Sequence, residues 1–225
     1  MELRNQKRLF IAINGYGVSD NIFTDLSYQA YLIQIFNHLW ANYRTKPLII
    51  IPCGGNTDME KPFKRTEAGE MSKWLKDQMK KVGLAKLWKV YPCATQLSAL
   101  ENMLACKQLV NKNKLIYFCE KTREQKMKEL AKKIFGSQAK IIAIEFDGSP
   151  TRYDLITRHN LEKEDLQYSL LALKDPRWRA WLKKATKEKI KTLRQLPARL
   201  RYQQVDKITK KVKKEWYLRY LNFKF

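Results

Sequence analysis

The stretch from Leu48 to Leu75, LIIIPCGGNTDMEKPFKRTEAGEMSKWL, decides the fold. An apolar run from Leu48 to Ile51 meets Pro52 and the pair Gly54-Gly55, and after a polar loop an amphipathic pattern begins near Thr66. The order is strand, tight loop, helix. In an open α/β sheet, ligands sit just beyond the carboxyl ends of the strands, where glycines admit backbone N–H groups and the next helix presents its positive end. A binding site is therefore expected at this junction.

Upstream, Arg8 to Asn14 (RLFIAIN) reads as a first buried strand ending in Gly15-Tyr16-Gly17. Its glycines are spaced like the start of GxGxxG, but Asp20 stands where the third belongs. No dinucleotide fingerprint is read from them, and a strand-ending turn is the simpler account. Ser27 to Tyr43 carries Tyr28, Tyr31, Leu32, Ile35, Phe36, Leu39 and Trp40 at helical spacing, with His38 beside the stripe as a packed or surface histidine. Pro47 to Cys53 is the second strand and Thr66 to Val82 the second helix, with Thr66 as N-cap. Glu67 and Glu70 fall in its first turn, where carboxylates suit the helix dipole. Glu67 has a second reading, as a group facing the Gly54-Gly55 loop that contacts a ligand hydroxyl or amine.

Downstream, Lys86 to Tyr91 is a shorter, more polar strand, as expected at a sheet edge. A helix follows from Ser98 to Val110, then a strand from Lys114 to Cys119. Another helix, Thr122 to Phe135, stops at Gly136, and a fifth strand spans Lys140 to Phe146. Strand and helix alternate with short turns, which predicts an α/β fold with a doubly wound, mainly parallel five-stranded sheet. All strand exits then share one edge: Asn14 to Gly17, Cys53 to Asn56, Pro92 to Thr95, Glu120 to Arg123, and Asp147-Gly148. From this edge the candidate ligand-binding residues are Asn14, Gly15, Gly17, Gly54, Gly55, Asn56, Thr95 and Arg123, with Glu67 from the second helix.

Beyond the α/β region, residues 1–152, a helical extension occupies 153–225. Asn160 to Leu173 reads as one helix, Asp175-Pro176 opens a second, and a third follows Pro197. The chain has 225 residues, 44% of them hydrophobic, enough for a proper core, and a formal charge of +23. From Pro176 to Phe225 there are 17 Lys and Arg against three acids, so the extension holds most of that charge. Basic residues interleaved with Trp178, Trp181, Tyr202, Trp216, Tyr217 and Tyr220 could contact nucleic acid or another polyanion; alternatively the aromatics pack the helices and the lysines form a solvated face. No apolar run approaches the roughly 20 residues of a membrane helix, so no membrane insertion is expected. The N-terminus lacks a signal-peptide pattern, which points to the cytoplasm. The four cysteines form no CxxC pair. Cys53, Cys93 and Cys119 fall near strand exits where thiols could converge on zinc, but cysteine is a common core residue and no metal is expected.

GYG after the first strand, CGGNTD after the second, RTEAGEM opening the second helix and SALEN in the third together resemble the YdcF/SanA/ElyC family, whose α/β domain has a largely unassigned activity. The resemblance covers about Leu9 to Phe146. It implies a Rossmann-like sheet, a ligand crevice at the strand C-termini and, for the soluble YdcF branch, S-adenosylmethionine as ligand. Carried over by position, Gly54 and Gly55 match the family's glycine pair, Glu67-Ala68 its Glu-Ala, and Glu101-Asn102 its Glu-Asn. The family's threonine two residues before that glutamate is Ala99 here, so the hydroxyl either comes from Ser98 beside it or is absent. The family's histidine after the fourth strand is missing from CEKTREQK, which keeps Arg123. The expected activity is thus binding of a small nucleotide-type ligand, reaction unassigned, with polyanion binding through the extension as the alternative.

Overall fold

The computed structural model describes residues 8–15, 17, 18, 21–145 and 155–223. Five strands form one all-parallel sheet in the order β3-β2-β1-β4-β5. They are β1 (Leu9–Asn14), β2 (Leu48–Cys53), β3 (Trp88–Val90), β4 (Leu115–Glu120) and β5 (Ala139–Ile144). Parallel neighbours need long crossovers, and α1 (Leu26–Tyr43), α2 (Glu67–Lys81), α3 (Ala99–Val110) and α4 (Glu124–Phe135) supply them. Strand order reverses at β1, which pairs with β2 on one side and β4 on the other. The fold is the Rossmann-like α/β sheet that the strand-helix alternation predicts.

Side chains alternate across each strand, so a sheet covered on both faces needs apolar residues at nearly every position. Ile11 and Ile13 face one core, built with Tyr31, Leu32 and Ile35 of α1 and Met71, Trp74 and Leu75 of α2. Phe10 and Ala12 face the other, built with Leu100, Met103 and Cys106 of α3 and Met127 and Leu130 of α4. β4 is buried along its whole length, whereas the three-residue β3 lies at the edge where its polarity placed it.

The helix starts follow local chemistry. Thr66 Oγ1 accepts from Gly69 N at 3.0 Å, Ser98 Oγ from Glu101 N at 3.3 Å, and Asp175 Oδ1 from Arg177 N at 2.8 Å. Each side-chain oxygen satisfies an N–H that the helix leaves unpaired. Gly136 closes α4 with φ +61, a conformation that favours glycine. The fourth helix begins two residues after Thr122, because Lys121–Arg123 form a 3-10 turn, and the fifth strand ends at Ile144. The exit loop expected at Asp147-Gly148 lies outside the described residues.

Three more helices follow: α5 (Leu155–Lys174), α6 (Pro176–Gln195) and α7 (Ala198–Asn222). They share the second core, to which Ala172, Trp178, Leu182 and Tyr220 contribute fully or nearly buried side chains. Trp178 lies against Tyr168, Tyr217 and Tyr220, and Trp181 against Trp216, all with ring centroids within 6 Å. The aromatics of the extension therefore pack its helices together. Lys183, Lys184, Lys187, Lys191, Lys207, Lys210, Lys211 and Lys214 are exposed and give it a solvated basic face. Among the described residues no helix is long and apolar enough to cross a membrane.

Candidate functional site

A cavity of about 350 Å³ lies where the strand order reverses, between the exits of β1, β2 and β4, the loop before α3, and helices α5 to α7. A sheet of this type leaves a crevice at the switch point. Here the C-terminal helices roof it over. Of the residues the sequence assigns to a site, Asn14, Gly15, Gly17, Gly54, Glu67, Ser98, Asn102 and Arg123 line the cavity.

Asn14 ends β1 and is held from both sides of the sheet. The Tyr31 hydroxyl donates to its backbone oxygen at 3.0 Å, while the Tyr117 hydroxyl and the Asn102 amide each donate to its Oδ1 at 3.4 Å. Burial pushes both tyrosine phenols up, so they donate as neutral hydroxyls. Asn102 is only 4% exposed, and its own Oδ1 has no donor among the described residues. The same holds for Oε1 of Gln96, another lining residue. A buried oxygen left unpaired costs about 1–3 kcal/mol, so both of these residues at the cavity wall hold an acceptor that a donor would stabilise.

The glycines at the strand exits serve Glu67. A Cβ on Gly15 would come within 1.8 Å of Glu67 Oε2, and one on Gly54, which has φ +146, within 2.3 Å. The Thr57 hydroxyl donates to Glu67 Oε1 at 2.6 Å, and the Gly17 N–H donates to the same carboxylate. The chain thus seats its own carboxylate where nucleotide-binding folds commonly seat a phosphate. Thr66 caps α2, which leaves Glu67 free to turn inward. Burial pushes its carboxyl up, against the downward pull of Thr57, Arg123, Lys189 and Gly17. The Gly54 N–H expected to meet a ligand donates instead to Cys93 O at 3.1 Å.

Gly55, Asn56, Thr95 and Glu101 are not among the lining residues. Gly55 lets the loop before α3 approach, since a Cβ there would lie 2.5 Å from Gln96 O. Asn56 accepts from Arg194 Nη2 through Oδ1 at 2.6 Å and so ties the β2–α2 loop to α6. Thr95 Oγ1 is exposed and accepts from Gln96 Nε2. Glu101 lies in the first turn of α3, with its N–H on Ser98.

The roof brings charges that the sequence reading left unassigned. Lys126 of α4 is 5% exposed and bridges Glu162 and Asp165 of α5, the latter at 3.0 Å; Lys213 of α7 pairs with the same Asp165. Burial alone would push Asp165 up, but the two ammonium groups outweigh it and hold its carboxyl well below the usual range. Arg123 donates to Gly15 O at 3.0 Å and to Glu162 Oε1 at 3.2 Å, which ties the β1 exit to α5. Lys189 of α6 lines the cavity with no hydrogen-bond or ion-pair partner among the described residues. Burial pushes its ammonium down to about 8, with Lys213 adding to the effect and Asp165 opposing it. One signal could have found Lys189: Leu182, Thr186, Ile190 and Leu193 make the inward stripe of α6, and Lys189 falls within it.

His38 packs edge-on to Phe118 with centroids 5.4 Å apart, away from the cavity lining, and the His159 side chain lies outside the described residues. The four cysteines are buried free thiols, with Cys53 Sγ 3.3 Å from Cys106 Sγ. Cys106 of α3 and Cys93, not Cys119, are the thiols that hydrogen-bond with Cys53. Among the described residues no group of three or more His, Cys, Asp or Glu is placed to hold a metal ion. No protein-family model, no curated protein and no solved structure matches the chain.

Proposed function

We propose that this protein is YdcF-like and binds a small nucleotide-type ligand in the roofed cavity, with S-adenosylmethionine the ligand its sequence motifs favour. The observation that carries the reading is that Asn102, whose buried Oδ1 is unpaired among the described residues, and Glu67 line the same cavity. Acceptors in a low-dielectric pocket select ligands rich in donors or bearing positive charge. Ribose hydroxyls, an exocyclic amine and a sulfonium meet that requirement. A bare phosphate does not, because Glu67 already fills the glycine-lined seat. The volume lies within the usual range for small-molecule pockets, roughly 300–1,000 Å³. The alternative of polyanion binding retains only the exposed lysines, since the described aromatics of the extension are engaged with one another.

The test is a thermal-shift titration of the full chain with S-adenosylmethionine, S-adenosylhomocysteine and ATP, repeated on Glu67→Gln and Asn102→Ala. A ligand that binds only the native state stabilises it by about 2.7 kcal/mol at a hundred times its dissociation constant. The expected result is a concentration-dependent rise with the adenosyl compounds, at least tenfold weaker in either variant. No rise for the wild type, or an undiminished rise in both variants, overturns the reading.

A further inference from the structure

We infer that Lys189 is a nucleophilic amine that captures a small aldehyde or ketone in the cavity as an imine. The proposal rests on the cavity admitting small molecules and not on the adenosyl ligand. Among the cations that line the cavity, Arg123, Lys126 and Lys213 are committed to carboxylates and Arg201 to Glu60 at 2.8 Å. Lys189 alone of these five has no such partner among the described residues. It lies on the apolar stripe of α6 with Leu182 and Ile190, where a charged ammonium is poorly solvated. The groups facing it from the packed elements are Glu67 of α2, Arg123 before α4, Asp165 of α5 and Lys213 of α7. The cationic neighbours and the burial both favour the neutral amine, the form with a lone pair to give.

The chemistry balances without an oxidant or reductant. The Nζ lone pair forms a C–N bond to the carbonyl carbon, and the carbonyl π electrons move to oxygen. The two hydrogens of the neutral amine leave with that oxygen as water, and the C=N bond forms as the C–O bond breaks. Glu67 shares the cavity, and its carboxylate can take one of those two hydrogens from the adding nitrogen as a proton and return it to the departing oxygen, ending as it began.

The test uses the full chain and glyoxylate as the probe carbonyl, with cyanoborohydride to trap the imine and peptide mass mapping to locate it. Lys183 and Lys187 are exposed on the same helix and serve as internal references. An exposed lysine keeps its ordinary pKa near 10.4, so at pH 8 Lys189 is expected to label at least about tenfold faster than either. Its rate should be half-maximal near pH 8. Lys189→Arg should remove the fast adduct and spare the slow ones. Equal rates at Lys183, Lys187 and Lys189 in the wild type overturn the proposal whether or not the variant folds. A fast adduct with no adenosyl-induced thermal shift keeps the imine and removes only the ligand reading. A thermal shift with no fast adduct does the reverse.

Discussion

The floor and the roof of the cavity are built by different means. The floor is made at the ends of β1 and β2, where Asn14, Glu67 and Thr57 are held by hydrogen bonds and by glycines that leave room for a carboxylate. The roof is made by α5, α6 and α7, where Glu162, Asp165 and Lys213 join one another and Lys126 of α4 through ion pairs. On the floor one acid is seated by neutral groups. On the roof charges seat each other, and Lys189 is left over. The difference teaches that the polar groups free to meet a ligand, Asn102 Oδ1 below and Lys189 above, are those their own layer does not satisfy.

Breaking the roof network should have the largest effect. Asp165→Ala strands Lys213 and removes one of the two partners of Lys126, and loss of one member of a buried ion pair costs about 3–5 kcal/mol. Urea unfolding at pH 7 measures the loss. The wild-type carboxyl is held below its unfolded value, so its contribution is complete above about pH 4 and is lost as pH falls further. Wild type and variant should therefore converge in acid. Equal stability at pH 7 would show that the roof does not depend on Asp165.

The floor should break more locally. Gly54→Ala puts a Cβ 2.3 Å from Glu67 Oε2 at a backbone φ of +146, so the carboxylate must move. The expected cost is on the order of 2–3 kcal/mol in unfolding free energy, with loss of the adenosyl-induced thermal shift. A variant as stable as wild type that still binds would remove the glycine-seated glutamate from the account.

Replacing the unpaired roof cation should stabilise. Partial burial and the neighbouring Lys213 push the native ammonium down to about 8, against about 10.4 unfolded, so below pH 8 the folded state bears the cost of a poorly solvated charge. Between pH 8 and 10.4 the unfolded chain holds more protons, and wild-type stability climbs with pH. Lys189→Met should then gain on the order of 1–3 kcal/mol at pH 7, and the gain should shrink toward pH 10. Comparing urea midpoints at the two pH values decides it. A variant less stable at pH 7 would mean that Glu67 and Asp165 together make the ammonium a net favourable group.

Much of the floor was legible because its signals are local. Apolar runs ending at Asn14 and Cys53 mark the strands, and Thr66 and Ser98 mark helix starts by the cap each provides. Spacing also placed Gly15, Gly54 and Glu67 at one edge, and the family resemblance added Asn102. It could not say that Glu67 takes the anion's place, or that Gly54 spends its N–H on Cys93. Those outcomes depend on how neighbouring strand exits face each other.

The amino-acid sequence alone therefore determined the strands, their parallel arrangement, the helix caps and the apolar stripes, because each follows from chemistry within a few residues along the chain. The tertiary structure alone decided that the basic C-terminal helices roof the strand exits, that Lys126 and Lys213 meet on Asp165, and that Lys189 faces the cavity unpaired. The partners of Asp165 lie 39 and 48 residues from it, and no short-range period encodes an encounter over that distance. It is fixed by the packing of Trp178, Leu182 and Tyr220 into the core beneath the sheet, which sets where each charged side chain of the roof must point.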